Sequence, residues 1–274
     1  MEAVLSKPER KVMTDEVAIW EPKPFPGNDL LPMERGAAAA LAGPSDIPIV
    51  GNEHIDPDDL VLPCLTLLHG TSKAVTDRVA DAEPGRFMHT GTEEVLPEGP
   101  VRVIVIHYHK GNALFPKEDP RYKDLQTCIS PDQVEGTVYG SCDECKKCTE
   151  WDDENNLPPL GAEVHHFTCM TSWGPVIMRF TRSSYKAGSK FCSDKSLAEK
   201  NWFAHPAVVR VVQSPKTLAS GKTTMYHHMQ IAWQVTERVP DEVQRQAYEL
   251  YKGIVAKHQS GNFKAQAESD EDFD

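Results

Sequence analysis

The chain reads as an α+β protein: an OB-like antiparallel β-barrel, interrupted by a cysteine-bearing insertion and followed by a C-terminal helix and an acidic tail. Three observations predict this. Short runs rich in β-branched residues recur between turn residues, one polar segment carries four cysteines, and after Pro240 the apolar residues change to helical spacing. Five or six short strands with one helix among them suit a mixed β-barrel better than a doubly wound parallel sheet.

The elements follow in order. Residues 1–56 are rich in Pro, Gly and Ala, as in Glu21-Pro-Lys-Pro-Phe-Pro-Gly27 and Gly36-Ala-Ala-Ala-Ala40, and read as an extended or partly disordered arm. The core is expected over 57–263. Leu60 to His69, interrupted by Pro63, suits an edge strand, and Gly85 to Thr90 suits a second one leading into the Gly91-Thr92 turn. Val101 to His109 is the clearest strand, dense in β-branched residues with no breaker inside it. A polar insertion at about 111–160 is expected to interrupt the sheet without belonging to it. Val176 to Thr181 is the next strand.

Ser184 to Phe203 turns helical, with Phe191, Leu197, Ala198 and Trp202 on one face and Gly188 weakening the first turn. Ala207–Gln213 and Thr223–Thr236 form a hairpin around Ser220-Gly221. In the last helix Val243, Ala247, Leu250 and Ile254 share a face, and Asp241 and Glu242 suit its positive N-terminal end. Residues 264–274 form the disordered acidic tail.

Seven cysteines, three of them within seven residues, fit a metal better than a set of disulfides. Cys142-x-x-Cys145-x-x-Cys148 and Cys128 supply four soft ligands, which suit one tetrahedral zinc ion in a zinc-ribbon-like insertion. Cys169, His165 or His166 could replace Cys148 or Cys128 as a ligand. Four protein ligands leave no open coordination position, so the site is expected to be structural. A deaminase is disfavoured because no H-x-E stands before the C-x-x-C. Gly221-Lys222-Thr223 fails as a phosphate-binding loop, since Lys216 stands where a glycine is required. No nucleophile elbow is present, and the acidic residues form no recognisable nuclease constellation, so the protein is not expected to be an enzyme.

The formal net charge of −12 conceals a strong asymmetry. Residues 1–163 carry 15 Lys and Arg against 30 Asp and Glu, residues 164–264 carry 14 against 6, and residues 265–274 carry 0 against 5. The basic segment mixes cations with rings, the pairing that a single-stranded nucleic acid requires. Arg179, Arg182, Tyr185, Lys186 and Lys190 are the candidates for phosphate and stacking contacts, because they follow a strand into a loop and helix start. Phe180, Phe191, Trp202 and Trp233 read as core. The tail sets Phe273 among Asp270, Glu271, Asp272 and Asp274, a segment able to lie in a basic groove and be displaced by DNA. No run of residues is apolar enough for a membrane helix and no secretion signal opens the chain, so a cytoplasmic protein is expected.

On these residues the chain resembles the single-stranded-DNA-binding proteins of tailed bacteriophages. Leu62-Pro-Cys-Leu-Thr-Leu-Leu-His-Gly-Thr-Ser72 followed by Pro84-Gly-Arg-Phe87 is similar to their opening. Cys128-Ile-Ser with Cys142-Asp-Glu-Cys145 is similar to their cysteine insertion, and the Phe-bearing acidic end to replication binding proteins generally. Cys148 and the long arm depart from that pattern. The resemblance covers roughly 57–274. It implies sequence-tolerant single-stranded DNA binding in phage replication or recombination, inside the infected bacterial host. The tail would contact replication proteins, and homo-oligomer formation is compatible with this reading. The alternative is a zinc-ribbon module for protein interaction or transcription regulation, without DNA coating.

Overall fold

A computed structural model of the chain describes residues 62–115, 120–154, 157–198, 202–217, 221 and 223–259. The arm at 1–56 and the tail at 264–274, with Asp270, Glu271, Asp272, Phe273 and Asp274, lie outside the described residues. The fold is mixed α+β, with antiparallel sheets and few helices.

The central strand β4 (Val101–Leu114) is longer than its β-branched run suggests. On one side it pairs antiparallel with β8 (Ala162–Thr171), which pairs in turn with β9 (Gly174–Thr181). On the other it pairs with β10 (Ala207–Thr217), whose hairpin partner is β11 (Thr223–Trp233). The resulting order is β11-β10-β4-β8-β9. A small sheet of β1 (Leu65–Leu67), β2 (Phe87–His89) and β3 (Glu94–Val95), with the helical turn α1 (Lys73–Thr76) between its first two strands, lies alongside, joined where Cys64 bridges Ile177 of β9 in parallel.

The ladder does not close into a barrel among the described residues, unlike the OB-like expectation. The seam between β9 and β11 is filled by a 3₁₀ turn (Arg182–Ser184) and helix α3 (Tyr185–Ala198). The Met229 amide donates to Ser184 Oγ at 2.9 Å, so a side chain and not a strand bond joins the two edges. Phe191 of α3 stacks on Trp233 at 4.6 Å and meets Phe167 edge-on at 5.4 Å. Beneath it lies the main core, with Val103, Val105, Phe167, Val176, Met178 and Phe180 almost wholly shielded.

Gly188 allows this packing. A Cβ there would stand 2.9 Å from His165 Cδ2 and 3.1 Å from Phe180 Cβ, so the missing side chain is a requirement of close approach.

On the opposite sheet face helix α4 (Asp241–Gln259) lays Ala247 and Ile254 over Ile104, Ile106 and Met170, flanked by Val243 and Leu250. A β-bulge between Val105 and His107 leaves Ile106 without a partner in β8. Ile106 and His107 therefore share the α4 side, while Tyr108 turns to the main core beside Phe167.

Two expectations need correction. Ala162–Thr171 is a buried strand, although no strand is anticipated between the insertion and Val176. The cysteine insertion does join the sheet, because β5 (Cys128–Ser130) pairs with the end of β4, setting Leu114 against Cys128.

Candidate functional site

The insertion brings the four cysteines to one place through local backbone geometry. At its root, Tyr122 Oη donates to the carbonyl of Leu160 at 2.9 Å, tying the way in to the way out. Cys128 begins β5, and the two-residue strands β6 (Glu135–Gly136) and β7 (Gly140–Ser141) lead into a single helical turn, α2 (Cys142–Cys145). Lys146 ends that turn in the left-handed region, φ 53°, with its amide donating to the Cys142 carbonyl at 3.0 Å. The chain reverses there, and the Gly161 amide donates to the Lys147 carbonyl at 2.9 Å, which draws Cys148 against the exit strand.

Cys128, Cys142, Cys145 and Cys148 line one cavity of about 20 Å³, room for a single ion or water. Two glycines press against it. A Cβ at Gly136 would stand 2.7 Å from Cys128 Sγ, and one at Gly161 only 2.3 Å from Cys148 Sγ. Burial pushes the Cys148 thiol up to about 11, and the neighbouring Cys142, Cys145 and Cys128 add to the rise. The donor set suits a soft ion. Among the described residues, however, no three or more Cys, His, Asp or Glu already stand close enough to hold one, so the thiols share a cavity without converging on a point.

The other ligand candidates lie elsewhere. Cys169 is fully buried in the main core. His165 has Tyr108 Oη 2.9 Å from Nδ1 and Ser189 Oγ 2.8 Å from Nε2, which occupies both ring nitrogens. Burial, then Lys110, holds His165 down to about 4, so the ring is neutral at pH 7. His166 points to the α4 side and stacks on His109 at 4.6 Å.

The cationic candidates divide between two faces. Arg179 pairs across the ladder with His166 and so shares the α4 side, whereas Tyr185 lies against His165 at 4.3 Å on the other. Tyr185 Oη donates to Glu163 Oε2 at 2.9 Å and accepts from Lys110 Nζ at 3.3 Å, and Glu163 Oε1 accepts from Gln133 of the insertion at 3.1 Å. Tyr185 is therefore a link between insertion and core. Arg182, Lys186 and Lys190 are exposed around the start of α3, with Lys190 paired to Asp194.

Two features escape sequence reasoning. The β10–β11 hairpin overhangs the sheet: β10 pairs with β4 only at Ala207, Val208 and Val209, and Arg210 to Thr217 pair with β11 alone. At about 3.3 Å per residue these eight residues make a ribbon on the order of 26 Å long. It carries Arg210, Tyr226, His227 and His228, all half-exposed. The second feature is a groove of about 1020 Å³ between β4 and α4, walled by His107, Tyr108, Trp202, Phe203, Tyr248 and Tyr251. The available signals were the polar rings ending an apolar strand at His107-Tyr108-His109, and two tyrosines off the apolar face of the last helix.

Residues 34–264 match the family model described as Pam3 phage gp34-like protein. The chain belongs to that family. Its phage origin agrees with the phage resemblance read from the sequence. No curated protein and no solved structure matches the chain. The match takes in every described residue, so the cysteine cavity, ribbon and groove of this gp34-like protein all lie within the family region. Among the described residues no helix is long and apolar enough to cross a membrane.

Proposed function

We propose that this gp34-like protein binds single-stranded DNA with little sequence preference, in replication or recombination of the phage genome inside the host cell. The overhanging β10–β11 ribbon carries this reading. It places a guanidinium, a phenol ring and two imidazoles on a hairpin that extends past β4, with His227 against Gly85, and the sequence adds Lys216 and Lys222 towards its turn. The base of the hairpin abuts the 3₁₀ turn through Ser184, so Arg182 and Lys186 flank the same ground. Cations beside rings serve phosphates and unstacked bases together. Arg179 contributes from the opposite face only if the strand wraps the sheet edge.

The four cysteines would hold one zinc ion that stiffens the insertion. Zinc draws thiolates to about 2.3 Å and would lower the Cys148 thiol that burial raises. A full tetrahedral set of sulfurs gives it a structural role. The acidic tail, with Phe273, would compete for the basic surface and pass to replication proteins once DNA displaces it.

The test is fluorescence anisotropy of the zinc-loaded chain with a labelled single strand and the matching duplex, across a salt titration. Single-strand preference that declines steeply with salt supports the reading, and removing residues 265–274 should tighten binding. Equal or absent binding would favour the second reading, a protein-interaction module. That reading has its own observation: Val134 and Trp151 on the insertion are 65% and 56% exposed.

A further inference from the structure

DNA binding along the ribbon leaves the groove between β4 and α4 unused. Its walls are rings. Phe203 and Tyr251 lie 5.8 Å apart, Tyr248 and Tyr251 stack at 6.3 Å with 21° between planes, and Tyr108 and Trp202 stack at 6.1 Å. Tyr248 is half-exposed, so the slot between rings opens to solvent. Its charged rim is balanced: Arg245 is tied to Glu242 at 2.7 Å, Asp241 lies 3.8 Å from Arg238, and Glu249 lies 2.6 Å from Lys252. A phosphate backbone gains little from such a rim. A proline-rich segment bearing a cation suits it better, because prolines slot between aromatic rings and the ring faces attract the charge.

The chain contains such a segment. Trp20-Glu-Pro-Lys-Pro-Phe-Pro26 sets three prolines at alternate positions, two aromatic residues, one lysine and one glutamate within seven residues. Alternate prolines restrict the backbone towards an extended conformation, so little ordering entropy opposes docking. The tether is long enough. From Pro26 to Leu62, where the described chain begins, there are 36 residues, whose maximum reach is about 120 Å. Leu62 to Cys64 enter beside β9, three strand spacings from β4 or about 14 Å laterally. Tethering at that range gives an effective concentration on the order of millimolar.

We propose that the groove between β4 and α4 is the docking site of the chain's own segment Trp20–Pro26, seated between Phe203, Tyr248 and Tyr251 with Lys23 over the face of one of these rings. The groove lies in the family region, and the segment precedes it. The docking does not depend on DNA binding.

The experiment uses the full-length chain without DNA, with Phe25 replaced by the photocrosslinking residue p-benzoylphenylalanine. Equal amounts of light and ¹⁵N-labelled protein are mixed before irradiation. Mass spectrometry should find the arm joined to Phe203, Gln244 or Tyr248, within one isotope only. Tyr248→Ala, at a half-exposed position that leaves the core intact, should cut the yield by about fivefold, and Lys23→Glu by about two- to fivefold. Crosslinks elsewhere, mixed-isotope crosslinks that assign the groove to a second copy, or a yield indifferent to both substitutions would each overturn the proposal.

Discussion

Replacing glycine by alanine should have opposite effects in the two long helices. At Gly253 of α4 a Cβ would meet nothing within 4 Å, so Gly253→Ala gains helix propensity and should stabilise the protein by up to about 1 kcal/mol. At Gly188 the same methyl would stand 2.9 Å from a ring that cannot step aside. His165 is held on both nitrogens, and Tyr185 lies against it. Overpacking costs about 1–3 kcal/mol and a weakened hydrogen bond about 1 kcal/mol more, against about 1 kcal/mol of propensity regained. Gly188→Ala should therefore destabilise the fold by about 1–3 kcal/mol net. Urea unfolding followed by far-UV circular dichroism reads both variants as shifts in midpoint, and thermal unfolding as Tm shifts of roughly 2–4 °C per kcal/mol for a chain of this size. If Gly188→Ala matched or exceeded the parent while Gly253→Ala was neutral, the packing argument around His165 would be wrong.

Three further outcomes are expected. His165, 1% exposed and held to about 4, binds a proton less readily folded than unfolded. Its share of stability is thus complete above pH 6.5 and is lost as the pH falls towards 4, on the order of 3 kcal/mol. Burial lowers His89 and His228 in the same direction, so His165→Gln should flatten the stability profile across that window only in part; an unchanged slope would contradict the neutral buried ring. Purified protein should carry about one zinc per chain by metal assay, and Gly161→Ala, by pushing on Cys148 Sγ, should reduce it well below one; full retention would remove Cys148 from the ligand set. In anisotropy, Tyr226→Ala should weaken single-strand binding by roughly 5- to 100-fold. Lys186→Glu should reduce the salt slope by about 0.7, the value for neutralising one phosphate fewer on a single strand. Insensitivity to both changes would move the DNA surface away from the ribbon.

What the sequence revealed depended on whether a residue's neighbours shared its chemistry. The Val101–Ile106 run and the Val243–Ala247–Leu250–Ile254 spacing each have one reading, and the structure contains both elements. β8 escaped notice because His165, His166, Thr168 and Thr171 look like loop residues; they are buried, and partners such as Tyr108 and Ser189 for His165 are distant in sequence. The shared cysteine cavity was legible from spacing alone, but the seam filled by α3 was not, because it depends on Ser184 reaching a strand 45 residues away. Gly188 looked like a helix weakness, since sequence cannot show the imidazole pressed on it. Arg179 could have been separated from Tyr185 beforehand: in β9 its neighbours Met178 and Phe180 face the main core, which sends Arg179 to the other side.

The β-bulge in β4 bears on how this fold can change its length. Elsewhere in the strand, deleting one residue would invert every side chain beyond it, sending Tyr108 out of the main core and His107 into it. Ile106 is the exception, because it faces no residue of β8. Its removal would let Val105 and His107 pair as ordinary neighbours, at the expense of one side chain beneath α4, while each later residue kept its face. Variants of the chain one residue shorter in this strand should therefore have their deletion here, at the one point where β4 can shorten without rewriting both cores.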